Sequence, residues 1–457
     1  MFLLLVYVCP VFLFVYLSLR WKRFRNSTKS IAFFHPYCNA AGGGERVLWL
    51  AVSALQDNFK NYEIVIYCGD VNLNTERILQ KVEDTFQIVV SNRIKFIHLR
   101  TRFLLEAARY PFFTLLFQSL ASVVVAFEAI WKFCPDVYID TTGFSFTHLV
   151  FKGLASCKVV CYVHYPTVSS DMLNSVTMCN VSFNNRKFIT KSILLTKMKI
   201  FYYNVFAILY GFVGRLADVI CVNSNWTKEH IITLWKSPSK TFLVFPPCDV
   251  NRFQKCAVKD KIDPIIISVA QFRPEKNHSL QLQAFKILSE KLNLLQSERC
   301  KLVIIGGCRN NDDEQRVILL KDECRQLGIE SKVIFQVNAS FNELLKIVES
   351  SKIGIHTMYN EHFGISIVEL MAAGAIVVAN NSGGPKCDII ENGVNGFLAL
   401  TAEEYADCLF KVINMHETQL EQIRNAARAT VKKFSDNEFI TSFMDCVSPL
   451  INSGNHE

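Results

Sequence analysis

Residues 352–385 read KIGIHTMYNEHFGISIVELMAAGAIVVANNSGGP. The opening run, KIGIHTM, is short, apolar and β-branched. ISIVELMAA carries helical spacing to about Ala373, and AIVVANN is again strand-like. Glycine and polar residues separate the three runs. Strand, helix and strand in so short a space predict a parallel βαβ unit with strands buried on both faces.

The same alternation extends in both directions. Towards the N-terminus, from Ser30, the strand candidates are SIAFFHPY, EIVIYCG, IKFIHL, VYIDTTG, KVVCYVHYP, DVICVNS and KTFLVFPP. A second series comprises IIISVAQF, KLVIIGG, KVIFQV, KIGIHTM, AIVVANN and GFLAL. The series part near Pro246-Pro247-Cys248-Asp249, before the polar stretch 251–264. The expectation is an α/β chain of two doubly wound domains facing each other across a cleft. Ligands in such sheets bind at the carboxyl ends of strands, so function belongs in the loops that follow them. The expected division is 1–20 anchor, 21–245 first domain, 246–433 second domain and 434–457 C-terminal helix and tail. A length of 457 residues suits two cores better than one.

Residues 1–19 are almost uninterrupted apolar sequence, followed by Arg20, Trp21, Lys22, Arg23 and Arg25. That length crosses a bilayer, and no small-residue cleavage site follows it. The expectation is an uncleaved signal anchor, with the basic exit placing everything after it in the cytosol. The sequons at Asn26 and Asn225 would then stay unglycosylated. Two further stretches are apolar. Residues 110–131 read as a helix that dips into one leaflet or covers the sheet, or else as a buried core helix. Residues 189–213, with Arg186, Lys187, Lys191, Lys197 and Lys199, read as a segment at a lipid surface or as a solvated loop and helix.

Composition narrows the class. Half the residues are hydrophobic, rich for a soluble enzyme yet too polar for a multi-span transporter. A net charge of +8 suits anionic lipid or phosphorylated ligands, and the basic residues form no nucleic-acid-binding signature. The 16 cysteines never form CxxC, which argues against a zinc ribbon. Cys68, Cys161 and Cys221 fall in apolar strand runs, as expected of reduced, buried thiols.

Three loops carry candidate chemistry. Gly42-Gly43-Gly44-Glu45-Arg46 joins the first strand to a helix, where glycines admit a ligand and the helix start suits phosphate. The alternative is a tight strand–helix turn. Asp70, at the next strand end, leaves a dinucleotide reading open. Gln271-Phe272-Arg273-Pro274-Glu275-Lys276-Asn277 follows the first strand of the second series. Its two cations suit a diphosphate leaving group, or a surface ion pair of Arg273 with Glu275. In the quoted stretch, Glu361 lies at the helix mouth. Glu369 lies about five residues into the helix, roughly 8 Å along its axis, among packed apolar neighbours. As spacing alone, two glutamates prove little.

The Glu361–Glu369 pair with seven residues between resembles the E-x7-E motif of GT-B glycosyltransferases of the fourth family. SGGP at Ser382–Pro385, ENGVNGF at 391–397, RPEK at 273–276 and the GGGER loop resemble that family in the same order. The anchor, GGGERVLW and YVHYPT are similar to members that extend a dolichol-diphosphate-linked oligosaccharide on the cytosolic face of the endoplasmic reticulum. Those members use GDP-mannose to add α-1,2-linked mannose.

The resemblance implies a GT-B fold of two facing Rossmann-like domains. It implies GDP-mannose as donor, the dolichol-linked oligosaccharide as acceptor, and the endoplasmic reticulum membrane and other mannosyltransferases of the pathway as partners. Glu369 would hold the donor ribose and Glu361 the transferred mannose. Arg273 and Lys276 would bind the diphosphate. Phe363, Gly364 and Ile365 would line the donor site. Gly43 and Gly44 would close on the donor from the other domain, and His164 would line the sugar pocket. Its alternative reading is a core histidine. Gln271 stands where the family commonly has arginine, which leaves the role of Arg273 open. Retention of configuration would follow, by attack from the leaving-group side. No D-x-D occurs, so no carboxylate-held metal is expected. A different donor on the same fold, a nicotinamide-dependent dehydrogenase using Gly42–Gly44 and Asp70, and a silent membrane scaffold are the competing readings.

Overall fold

Every strand run named above forms a parallel strand in the computed structural model, which describes residues 16–19, 28–40, 42–70, 74–168, 172, 193–255 and 264–453. The chain divides into two compact units. One holds residues up to Asn223, Thr227–Pro247 and Phe439 onward, and the other holds Ser224–Trp226 and Cys248–Glu438.

The first unit is built on β1 (Ser30–Phe34), β2 (Glu63–Cys68), β3 (Ile94–His98), β4 (Val137–Asp140), β5 (Lys158–Val163), β6 (Val219–Val222) and β7 (Thr241–Leu243), in the order 3-2-1-4-5-6-7. Strand order reverses between β1 and β4, whose Ile31 and Val137 are in register. That is the topological switch point, where a loop from each side diverges and leaves a crevice. Helix α1 (Gly43–Asn58) starts beside it and buries Val47, Leu48, Ala51 and Leu55 at helical spacing. Each such burial contributes about 1.5–3 kcal/mol for a Val or Leu.

Helix α2 (Thr114–Lys132) is long and apolar enough to cross a membrane by length and composition. It does not read as a fully buried core helix. Val125, Ala126, Ala129 and Ile130 enter the core cluster that holds Phe34 and Tyr67 of the sheet, while Phe117, Leu120 and Val124 face outward. Glu128, the residue that spoke against a span, accepts from Arg100 N and Thr101 N, each at 2.8 Å, and from Lys132 Nζ at 2.6 Å. Helix α3 (Ile193–Gly214) packs beside it through Phe206, Tyr210 and Val213. Of the expected anchor, residues 16–19 are described and helical. The remainder, the basic cluster at 20–25, Asn26 and the stretch before residue 193 with Arg186, Lys187 and Lys191 lie outside the described residues.

The second unit carries β8 (Ile265–Val269), β9 (Lys301–Gly306), β10 (Val333–Val337), β11 (Ile353–His356), β12 (Ile376–Asn380) and β13 (Phe397–Ala399), in the order 10-9-8-11-12-13. Its switch point lies between β8 and β11, where Ile266 pairs with Ile353. Helix α4 (Ile365–Ala372) follows β11. The last helix, α5 (Asp436–Asn452), places Phe439, Phe443, Val447 and Ile451 in the core of the first unit. These residues recur every four positions, a single helical face. Cys68, Cys161 and Cys221 are buried free thiols.

Candidate functional site

The switch point of the second unit gathers the residues singled out in its sequence. β8 leads into the loop 270–277, where Pro274–Lys276 form a single tight turn and Asn277 adopts φ 50°. β11 leads into 357–364. Thr357 joins the two loops: its Oγ1 lies 2.9 Å from Lys276 O and 3.0 Å from Asn277 O, and accepts from Gln281 Nε2 at 2.9 Å. A buried hydroxyl with three partners fixes both loops.

Held in this way, Lys276 Nζ donates to Glu361 Oε2 at 2.5 Å and lies 3.2 Å from Met358 Sδ. His356 Nε2 stands 3.1 Å from the same Oε2. Burial alone would raise the Glu361 carboxyl. The Lys276 charge, the hydrogen bond and charge of His356 and the charge of His362 overcome it and hold the group well below the usual carboxylate range. Glu361 is therefore a buried, oriented anion. Burial, then the Lys276 charge, push nearby His278 down to about 4, so it is neutral at neutral pH.

The glycines beyond β12 have a steric reason. Gly384 N donates to Glu361 O at 2.7 Å, and Asn360 N to Ser382 Oγ at 2.7 Å. Gly383 has φ +59°, and a Cβ there would meet Glu361 O at 2.3 Å. One at Gly384 would meet Phe363 Cα at 2.6 Å. The SGGP stretch is thus pressed against the backbone that carries Glu361, and only glycine allows that approach.

The other predicted residues of this unit take distinct places. Glu369 is the fifth residue of α4, half-buried between buried Val368 and Leu370. Gly364, with φ 110°, caps the helix and Ile365 begins it. Phe363 turns its ring into the fold, edge-on to Phe434 at 5.1 Å. Arg273 is half-buried with Nη1 3.9 Å from Glu275 Oε1, the ion pair that was the alternative reading. Gln271 is exposed.

The first unit brings Gly43, Gly44 and His164 together at its own switch point. Gly42 N donates to Glu45 Oε2 at 2.7 Å, which fixes the start of α1. Glu45 Oε1 is 3.3 Å from His35 Nε2, and His35 Nδ1 is 2.8 Å from Thr141 Oγ1. His164 Nε2 reaches Thr141 O at 3.0 Å. A Cβ on Gly44 would lie 3.6 Å from His164 Nε2. Burial lowers His164 to about 4. The neutral ring donates from Nε2 to the carbonyl, which leaves Nδ1 an acceptor. Burial would raise Glu45, but the hydrogen bond and charge of His35 and the Gly42 N–H bring it below its ordinary value. A recess of about 120 Å³ adjoins His164, lined among others by Gln118, Thr142, Ser145, Thr167 and Tyr210. Its uncharged donors and acceptors suit a polyhydroxylated ligand.

Asp70 binds Arg102 Nη1 at 2.8 Å, a structural pairing. Together with Cys38 and Cys68 it forms a cluster of potential metal-ligand atoms within 4.8 Å of one another. Contact with Cys68 and burial push the Cys38 thiol well above its ordinary range.

Sequence reasoning passed over His356, Thr357, His35 and Thr141. Each stands at or just past the end of a strand flanking a switch point. Inspecting every strand end, rather than only glycine-rich and charged loops, would have found them.

Residues 28–235 match the family described as ALG11 mannosyltransferase N-terminus, and residues 249–429 match Glycosyl transferases group 1. The GDP-Man:Man(3)GlcNAc(2)-PP-Dol alpha-1,2-mannosyltransferase of Homo sapiens is 48% identical over 426 residues, covering 92% of this chain and 87% of its own. The protein of that name from Caenorhabditis elegans is 41% identical over 431 residues, covering 92% of this chain and 91% of its own. Among solved structures, Anabaena HepE in complex with UDP and glucose superposes with a TM-score of 0.64 at 16% identity, covering 92% of this chain and 99% of that one. Sucrose-phosphate synthase from Thermosynechococcus elongatus gives 0.67 at 14%, covering 93% and 100%. These two likenesses bear on the fold, two Rossmann-like units of the GT-B class.

Proposed function

The chain belongs to the GDP-Man:Man(3)GlcNAc(2)-PP-Dol alpha-1,2-mannosyltransferase family, and from that premise we propose how its residues divide the work of mannose transfer. It is a glycosyltransferase that moves mannose from GDP-mannose to a dolichol-diphosphate-linked oligosaccharide in α-1,2 linkage. The observation that carries the assignment of roles is the Lys276–Glu361–His356 cluster at the switch point of the second unit.

Lys276 and Arg273 receive the donor diphosphate. The Lys276 ammonium has three N–H donors, and its bond to Glu361 leaves others for a phosphate oxygen. The start of α4 adds backbone N–H groups and a positive dipole end. These groups neutralise the charge that develops on the leaving diphosphate without a divalent metal. Glu361 accepts hydroxyl hydrogen bonds from the transferred mannose, and Glu369 holds the ribose. Neither acts as nucleophile. Transfer retains configuration, with a diphosphate oxygen accepting the acceptor proton. In the first unit, His164 and the hydroxyl-lined recess beside it receive the acceptor saccharide.

We place the enzyme at the endoplasmic reticulum, anchored once by residues 1–20 with both units in the cytosol. Two features support that orientation. The described cysteines are free thiols. Asn225 Nδ2, the atom a glycan would occupy, donates to Asp388 Oδ1 at 2.6 Å.

The test is incubation of the full chain with GDP-mannose and a lipid-linked trimannosyl acceptor, followed by mass and linkage analysis. Addition of α-1,2-linked mannose is expected. Transfer only from a UDP-sugar would overturn the donor assignment.

A further inference from the structure

A line of polar side chains crosses the switch point of the first unit, where the segments after β1, β4 and β5 meet. Glu45 Oε1 stands 3.3 Å from His35 Nε2, and His35 Nδ1 stands 2.8 Å from Thr141 Oγ1. His164 Nε2 then donates to Thr141 O at 3.0 Å. His35 is 2% exposed and Thr141 1%, too buried to touch a substrate. His164 is the member of the line that borders the recess. Placing a carboxylate and an imidazole among strand ends is no better for stability than apolar packing of the same volume. The polarity therefore has a use besides holding the core together.

The end groups set the bond directions. The Glu45 carboxylate only accepts, so His35 carries hydrogen on Nε2, and in the neutral ring Nδ1 accepts from the Thr141 hydroxyl. The Thr141 carbonyl also only accepts, so His164 donates from Nε2 and keeps Nδ1 as an acceptor. Other holds on Thr141 are weak: its N and its Oγ1 each reach Phe34 O only at 3.4 Å. The short contact with His35 is what fixes its side chain. Beyond it, Asp140 Oδ1 accepts from Thr142 N at 2.9 Å and Gly143 N at 3.1 Å and sets the turn. Glu45 also reaches the glycine loop, since its Oε2 accepts from Gly42 N at 2.7 Å. Gly44 lies so near His164 that a Cβ on it would stand 3.6 Å from Nε2. One carboxylate thus ties the glycine loop to the residues that hold the pocket histidine.

We propose that His35 and Thr141 are positioning residues for transfer: His35, oriented by Glu45, holds Thr141 so that its carbonyl fixes the ring and tautomer of His164 against the acceptor saccharide. The proposal rests on the reading above that His164 meets that saccharide.

Thr141→Val removes the hydroxyl and keeps the carbonyl and the β-branched shape. The KM for a lipid-linked trimannosyl acceptor should rise about tenfold, with the KM for GDP-mannose changed by less than about twofold. Thr141→Ser should restore the acceptor KM. His35→Phe should reproduce the valine variant, and His35→Asn, whose amide can stand where Nδ1 stands, should recover part of the loss. A core that is merely loosened lowers the active fraction, and so kcat and the urea midpoint, without separating the two KM values.

The second readout needs no transfer. Full-length protein carrying histidine labelled at its ring nitrogens gives one pair of magnetic-resonance shifts for each ring, and the His164 pair is the one lost in His164→Gln. Wild type should show hydrogen on Nε2 and a bare Nδ1, and Thr141→Val should move the pair towards a mixture of tautomers. A His164 signal unchanged in both Thr141→Val and His35→Phe would overturn the proposal, whether or not the enzyme transfers. Equal rises in the two KM values would overturn it too. Absence of transfer by wild type would strike the enzymatic reading instead, with the histidine spectrum still deciding whether His35 and Thr141 set the ring.

Discussion

Lys276 and Glu361, 85 residues apart, share one proton-bearing contact of 2.5 Å at the mouth of the second sheet. His356 holds the same carboxylate oxygen at 3.1 Å. Glu361 is therefore oriented before any ligand arrives, which is how a site avoids reorganising during reaction.

Lys276→Ala should lower kcat on the order of 100-fold by removing positive charge from the leaving group. It also leaves the buried Glu361 carboxylate with only His356 and the charge of His362, at a cost on the order of 2 kcal/mol in stability. Turnover by mass spectrometry and a urea midpoint separate the two effects. A near-normal rate would remove Lys276 from the diphosphate site.

Gly383→Ala should destabilise by about 2–4 kcal/mol and depress activity, since a Cβ there meets Glu361 O at 2.3 Å in a left-handed conformation. Gly393→Ala is the control. It has φ +83° with nothing within 4 Å, so only the conformational cost of about 1–2 kcal/mol applies. Equal losses at the two positions would mean that the contact with Glu361 is unimportant.

Acid should destabilise the fold from about pH 6.5 downward. His164 and His278 have folded values near 4 against an ordinary 6.5. Between those values the unfolded chain binds more protons, so stability falls as pH falls, by at most about 3 kcal/mol per imidazole. Glu361 adds to this lower down. Its depressed carboxyl stabilises fully above its ordinary 4.5 and loses that contribution as pH drops below it. Urea midpoints at about pH 7, 5.5 and 3.5 read both ranges. A midpoint unchanged between the first two would contradict buried neutral histidines.

Transfer should survive EDTA. The proposed charge on the leaving diphosphate is met by Arg273, Lys276 and the start of α4 rather than by a metal. Loss of activity on chelation, restored by a divalent cation, would refute that arrangement.

The strands were legible because parallel strands buried on both faces must be short, apolar and β-branched, and runs such as AIVVANN and KVVCYVHYP have no other good use. The loops bearing Arg273, Lys276, Glu361 and His164 were legible because they follow those strands. His356 and Thr357 were not, since a histidine or threonine at a strand end looks like any other until a neighbouring strand brings Lys276 beside it.

The sequence by itself determined two parallel sheets, their division near residue 247 and the motif positions, because periodicity and turn chemistry are local. Tertiary structure decided the rest. Strand order set β8 against β11, and so Lys276 against Glu361. Packing decided that α2 covers a sheet with one face and turns the other outward, a choice that apolar composition leaves open. Contacts with β5 and β6 assigned the last helix to the first unit, since burial of Phe439, Phe443 and Val447 is a property of what they meet.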